Sequence, residues 1–109
     1  MKHFRVRLTI NAEIDLKEIY TYIKRNDSAK QAAKIVDELY STCTTLSRFP
    51  ERGHIAKELA QLGQRQYREI TKNPWRIVYR VEENNVIVYC ILDGRRNIQS
   101  LLAQRLTRP

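Results

Sequence analysis

WRIVYRVEENNVIVYCILDG, residues 75–94, reads as two strands and the hairpin between them. Trp75, Ile77, Tyr79 and Val81 alternate with Arg76, Val78 and Arg80, the period of two that sets neighbouring side chains on opposite faces of a sheet. Glu83-Asn84-Asn85 forms the hairpin loop. Val86–Leu92 is almost wholly apolar, as a central strand covered on both faces should be. Asp93-Gly94 turns the chain again. Before this block, Asn73-Pro74 is turn chemistry that joins it to a further short strand at Gln66–Thr71. After it, Ile98, Leu101, Leu102 and Leu106 recur at the spacing of a closing helix.

Nearer the N-terminus the period changes. Phe4, Val6, Leu8 and Ile10 alternate with Arg5, Arg7 and Thr9, predicting a half-buried strand over 4–10. Asn11 is placed to cap a helix whose apolar stripe is Ala12, Leu16, Ile19, Tyr20 and Ile23. Asn26-Asp27 breaks that stripe, and Ser28 with Gln31 matches a capping box. A second stripe follows at Ala32, Val36, Leu39, Cys43 and Leu46 and ends at Phe49-Pro50. Two helices with so short a break predict an antiparallel helical hairpin. Residues 51–65 hold two glycines and no sustained period, so a loop with one helical turn is expected. The order β-α-α-β-β-β-α describes a small α+β fold, a single domain over 1–109, with helices packed on one face of a mainly antiparallel sheet.

The chain's 109 residues and 13.0 kDa suit one modest core. No apolar run approaches the roughly 18–20 residues that span a bilayer, and the N-terminal stretch interleaves charges where an export signal is uninterrupted. A cytoplasmic protein with no membrane role is expected. Cys43 and Cys90 each sit in an apolar periodic segment and read as buried free thiols. With His3 and His54 they are too scattered for a zinc site, so neither metal nor cofactor is expected.

Phosphate loops, dinucleotide fingerprints and nucleophile elbows are absent from the sequence. Glu13, Asp15, Glu18, Asp37 and Glu38 read as solvated helix surface, and neither His3 nor His54 has a partner in sequence that would make it a catalyst. The cations carry more information. Lys and Arg number 20 against 12 Asp and Glu, a net charge of +8, which favours an anionic partner. From Arg65 onward nine cations, eight of them Arg, face four acids. The planar guanidinium fork grips phosphate or carboxylate. Arg76 and Arg80 share a strand face and Arg95-Arg96 lies where the last strand ends, so neighbouring strands would converge these groups on one concave surface. The alternative is solvated charge, or pairing with Glu69, Glu82 and Glu83.

Four segments in order, AEIDLKEIYTYI at 12–23, LSRFPERG at 46–53, WRIVYRV at 75–81 and VYCILDGRRNI at 88–98, resemble the RelE/ParE superfamily of bacterial toxins, most closely its ParE branch. The resemblance runs over about residues 5–106 and implies a helical hairpin on a small antiparallel sheet. It also implies a toxin of a type II toxin–antitoxin module. RelE-type members cut messenger RNA on the ribosome, whereas ParE-type members poison DNA gyrase. The nuclease branch uses Lys, Arg and Tyr. Carried across by position, its arginines match Arg76 and Arg96, but its strand lysines fall at Tyr67 and Glu69 and its late tyrosine near Leu102. A carboxylate repels a scissile phosphate and a leucine transfers no proton, and each lost acid–base group costs about 10²–10⁴-fold.

The resemblance therefore implies a gyrase inhibitor that binds through Trp75, Arg76, Arg80, Arg95 and Arg96 and has no catalytic residues. The alternative is a metal-independent, ribosome-dependent endoribonuclease with Arg76 and Arg96 catalytic, acting on mRNA. A third class is a degenerate member kept for binding its antitoxin. All imply a cognate antitoxin, acidic in its toxin-binding tail, that wraps the hairpin at Leu16, Ile19, Tyr20, Ile23, Val36 and Leu39. Operator DNA would be reached only through that antitoxin.

Overall fold

The computed structural model describes residues 3–106. Strand β1 (Arg5–Leu8) leads into helices α1 (Ile10–Asn26) and α2 (Ala29–Thr44), which a 3₁₀ turn at Thr45–Ser47 closes. Strand β2 (His54–Ile55) and helix α3 (Lys57–Ala60) precede the meander β3 (Arg68–Lys72), β4 (Trp75–Glu82) and β5 (Asn85–Asp93), and α4 (Ile98–Leu106) ends the fold. The five strands lie in the order β1-β5-β4-β3-β2, antiparallel except for β1, which runs parallel to β5. A parallel neighbour needs a long crossover, and the α1–α2 hairpin with the segments after it supplies one.

Local chemistry explains the element ends. Thr9, not Asn11, caps α1: its Oγ1 accepts from Ala12 N at 3.1 Å, so the helix starts before Asn11, which is left exposed in the first turn. Ser28 caps α2 as its sequence predicts, accepting from Gln31 N at 3.0 Å. The strand expected over Gln66–Thr71 begins two residues later, at Arg68, with the Tyr67 carbonyl accepting from Ala56 N in the register of the β2 pairing. Two-residue β2 was not legible in the sequence. It is an edge strand, and both of its side chains are exposed.

The helices cover both faces of the sheet, not one. On the first face Ala12, Leu16, Ile19, Leu39, Cys43 and Leu46 from the hairpin meet Ile70, Ile77, Tyr79, Val86, Val88 and Ile91. On the second, Ala56, Leu59, Ile98 and Leu102 cover Tyr67, Val78, Cys90 and Leu92. A β-bulge makes this two-sidedness possible: Tyr79 pairs with Val88 but Val78 pairs with Cys90, so Tyr89 is the extra residue. Val86 and Val88 face the hairpin, Tyr89 and Cys90 both turn to the second face, and alternation then resumes. A strict period-two reading of Val86–Leu92 fails at that point.

Candidate functional site

Three polar clusters close the sheet's second face and its edges. At the first, β4 presents Arg76 to the side away from the hairpin, and α3 and β3 set a carboxylate on either flank. Arg76 Nη1 and Nη2 donate to the two oxygens of Glu58, each at 2.7 Å, while Nε and Nη2 donate to Glu69, the latter at 2.5 Å. Glu69 is only 4% exposed, so Arg76 supplies the charge that permits its burial. The same bonds hold the Glu58 carboxyl below its ordinary range and push the guanidinium still further up. His54, across β2–β3, brings Nε2 to 3.4 Å from Glu69.

At the second cluster, the edge of β5 beyond β1 is sealed by side chains. Parallel pairing ends at Leu8 and Val88, leaving the Ile91 N–H and Tyr89 carbonyl without a strand. Asp15 Oδ2 accepts from Ile91 N at 3.0 Å, and Arg105 on α4 donates to both Asp15 oxygens at 3.0 and 3.1 Å and reaches the Tyr89 carbonyl. The buried Asp15 corrects the expectation of a solvated surface acid. Its position, three residues after Ala12 and four before Ile19, was the available signal, since it falls inside the buried stripe. Arg105 escaped notice because its partner lies 90 residues away.

At the third cluster, Gly53 donates its N–H to Tyr79 Oη at 3.0 Å. A Cβ there would stand 2.5 Å from the Glu69 carbonyl and 2.6 Å from Tyr79 Oη, so only glycine fits. This is the physical content of the FPERG segment: it threads a backbone against the sheet between β3 and β4.

The expected convergence of arginines does not occur. Arg76 is enclosed between its two glutamates; Arg80 pairs with Glu82 and stacks over Tyr67, 5.9 Å from the ring centroid. Arg95 is tied to Asp93, whose carboxyl it holds below the usual range, and shares a shallow groove beside Pro74 with the Arg76 stem. Arg96 makes no ion pair among the described residues. It opens instead toward the hairpin side, where it and Trp75 line a pocket of about 390 Å³ together with Asp15, Glu18, Ile19, Tyr22, Ile91, Leu92 and Asp93. Trp75 packs against the hairpin core, which turns its indole away from Arg76 and Arg80.

The helical residues expected to form a docking surface also divide. Leu16, Ile19 and Leu39 are core, because the sheet claims the face of each helix with the densest apolar stripe. Tyr20, Ile23 and Val36 are half-buried at its margin. The exposed apolar side chains on the hairpin are Ile10, Ile14 and Tyr22 of α1 and Tyr40 of α2, none of which the stripes singled out. The positions where the nuclease branch places its lysines and tyrosine are likewise closed: Tyr67 stacks edge-on against Tyr89 at 5.3 Å, Glu69 is paired, and Leu102 of α4 is fully buried against the sheet.

A family model described as the ParE toxin of type II toxin–antitoxin systems, parDE, matches residues 6–98. The chain belongs to the ParE toxin family. Toxin ParE3 of Caulobacter vibrioides is 28% identical over 91 residues, 84% of this chain and 87% of that relative. Among solved structures, the fold is similar to the chromosomal ParDE system from P. aeruginosa, with a TM-score of 0.72 at 18% identity over 84% of this chain and 96% of that one. It is also similar to the RelBE2 toxin–antitoxin complex from Mycobacterium tuberculosis, with a TM-score of 0.65 at 18% identity over 85% and 93% of the respective chains. The superfamily resemblance and the ParE branch read from the four segments both hold. In this ParE toxin no helix among the described residues is long and apolar enough to cross a membrane.

Proposed function

We propose that this ParE-family toxin acts in the cytoplasm on DNA gyrase by protein–protein binding, without catalysis of its own, and that a cognate antitoxin neutralises it. The observation that carries this reading is the closed triad of Arg76 with Glu58 and Glu69. A phosphate approaching Arg76 would have to displace two carboxylates from a guanidinium that already commits four of its five N–H donors to them, on a sheet face that Leu102 covers. That opposes the ribonuclease alternative, which needs Arg76 to stabilise charge at a scissile phosphate. Arg95 and Arg96 are exposed and Trp75 is half-buried beside them, residue types favoured where one protein binds another. The surplus of eight positive charges suits an acidic antitoxin tail, with operator DNA reached through the antitoxin.

Purified toxin added to gyrase and relaxed plasmid tests this directly. Loss of supercoiling or trapped cleaved DNA is expected, with intact transcripts when the chain is induced in cells. In-frame cuts in translated messages, with supercoiling unaffected, would overturn the reading.

A further inference from the structure

The second face of the sheet is covered over only part of its length. Ala56, Leu59, Ile98 and Leu102 lie over Tyr67, Val78, Cys90 and Leu92. Four residues further along β4 than Arg76, Arg80 stands level with Ile87 of β5, and Ile87 with Arg7 of β1, so one row crosses three strands. The next row is Glu82, Asn85 and Arg5. Val6 and Leu8 of β1 pack against the hairpin core, which puts Arg5 and Arg7 on the opposite side. Both arginines are exposed, and neither makes an ion pair among the described residues. Ile87 between the arginines is half-buried and belongs to neither apolar core. Arg80 is less committed than Arg76: it gives Nη2 to one carboxylate, that of Glu82, and lies over the Tyr67 ring. Three arginines against Glu82 leave the strip cationic, and Glu83 lies beyond its end, at the β4–β5 turn.

We propose that this uncovered strip binds the sugar–phosphate backbone of duplex DNA, without reading its sequence, and so holds the toxin on the DNA that its target engages. Duplex DNA as the source rests on the reading of gyrase as that target; the phosphate chemistry does not. Two rows of strand geometry set the cations: Arg5 and Arg7 are roughly 7 Å apart along β1, and Arg7 and Arg80 roughly 10 Å apart across two strand spacings. A guanidinium fork suits a phosphate. The duplex is a rigid polyanion with one negative charge per about 1.7 Å of axis, so it can engage all three arginines together, whereas acidic side chains of a protein must first be ordered. Single strands are disfavoured for a different reason. Tyr67 and Tyr89 are set edge to face and Arg80 covers Tyr67, so this aromatic pair is engaged with itself and is not an open platform for bases. Contacts to phosphates position a protein without specifying a base, which separates this binding from operator recognition through the antitoxin.

Anisotropy of a short labelled duplex with toxin alone tests the strip. Three phosphate contacts predict a slope of log affinity against log salt of about −3, and a slope far steeper in the unaltered protein would assign binding to its whole charged surface and overturn the strip. Arg5→Ala with Arg7→Ala is expected to reduce the slope to about −1 and the affinity at about 50 mM salt by roughly tenfold or more. Arg5→Lys with Arg7→Lys, which keeps both charges on the same exposed strand, is expected to retain the slope. Lys30→Ala with Lys34→Ala removes the same charge from exposed positions of α2, across the sheet, and should change affinity by less than about twofold. Equal losses in the two alanine pairs would overturn the site. So would tighter binding of single-stranded RNA, or an acidic peptide that displaces the duplex at equal charge concentration, since each assigns the strip to another partner. These measurements involve no gyrase, so they stand or fall apart from the target. In the supercoiling assay the Arg5→Ala, Arg7→Ala toxin is expected to need about tenfold more protein for the same inhibition, following its lost DNA affinity. Full inhibition by that variant would overturn the role of the strip at the target, whereas unaltered toxin that never inhibits gyrase would refute the target and leave the DNA result in place.

Discussion

The two faces of the sheet are sealed by different physics. The hairpin face is covered by two helices of 17 and 16 residues whose apolar stripes interlock with six sheet residues. The second face has only the four residues of α3 and the nine of α4. Such short helices bury too little to close a sheet by themselves, and ion pairs complete the cover: Arg76 joins α3 to β3 and β4, and Asp15 with Arg105 joins α4 to α1 and β5. Apolar packing tolerates imperfection gradually, but a buried charge whose partner is removed does not. The contrast shows where this fold holds arginines for structure, at Arg76 and Arg105, and where it leaves them without an ion pair among the described residues, as at Arg96.

The largest effect expected from breaking this contrast is Arg76→Ala, which leaves Glu69 buried and uncompensated and should cost about 3–5 kcal/mol in denaturant unfolding. Replacing Glu58, Glu69 and Arg76 together by apolar residues of similar volume should recover that loss, because no charge then remains to be stranded. A triple variant as unstable as Arg76→Ala would mean that the triad contributes more than mutual neutralisation.

Next come matched truncations of two fully buried leucines. Leu39→Ala, on the inner face of the hairpin, should cost about 3–5 kcal/mol, and Leu102→Ala, on the inner face of α4, nearer 2 kcal/mol, since a short helix can settle into the gap. Equal losses would show that α4 is held as rigidly as the hairpin.

A smaller effect follows from Glu58, whose folded-state carboxyl titrates below its ordinary value of 4.5 because of Arg76. Around and below that value the unfolded chain binds protons that the native state refuses. The stabilisation is therefore complete above about pH 4.5 and drains away as pH falls through the lower native value. Stability measured against pH should fall less steeply on the acid side in Glu58→Gln.

The finest probe reads local opening of each face. Cys43 lies on the inner face of the hairpin and Cys90 under α3 and α4, and burial pushes both thiols up to about 12. Neither should react with a thiol reagent at pH 8 in the closed protein. In Cys43→Ala and Cys90→Ala variants the remaining thiol reports opening of one face alone, and Cys90 should label faster. Faster labelling of Cys43 would reverse the proposed ranking of the two faces.

Much of this was legible in the chain itself. The hairpin helices, the β3–β5 meander and the buried thiols follow from periodicity, because a period of 3.6 or 2 is local information. The ParE branch was legible from four segments in order. The role of Asp15 was only half legible, since its position on the stripe was visible but Arg105 was not. The arrangement of the candidate site was read least well: Trp75, Arg76, Arg80, Arg95 and Arg96 were expected on one surface, which the structure divides, and the pairing of Arg76 with Glu58 was not visible. Strand parity relates residues along one strand, while a bulge and a long crossover decide which strands and helices meet.

The sequence by itself determined the main helices and strands, which side chains are apolar enough to form the core, and that the chain carries an arginine-rich, positively charged second half. Only the tertiary structure decided which arginines are free. Pairing depends on what lies across the sheet: Glu58 and Glu69 reach Arg76 from residues 18 and 7 positions away, and Asp15 reaches Arg105 from the far end of the chain. A charge is neutralised by the group beside it in space, and chain order does not encode that neighbour.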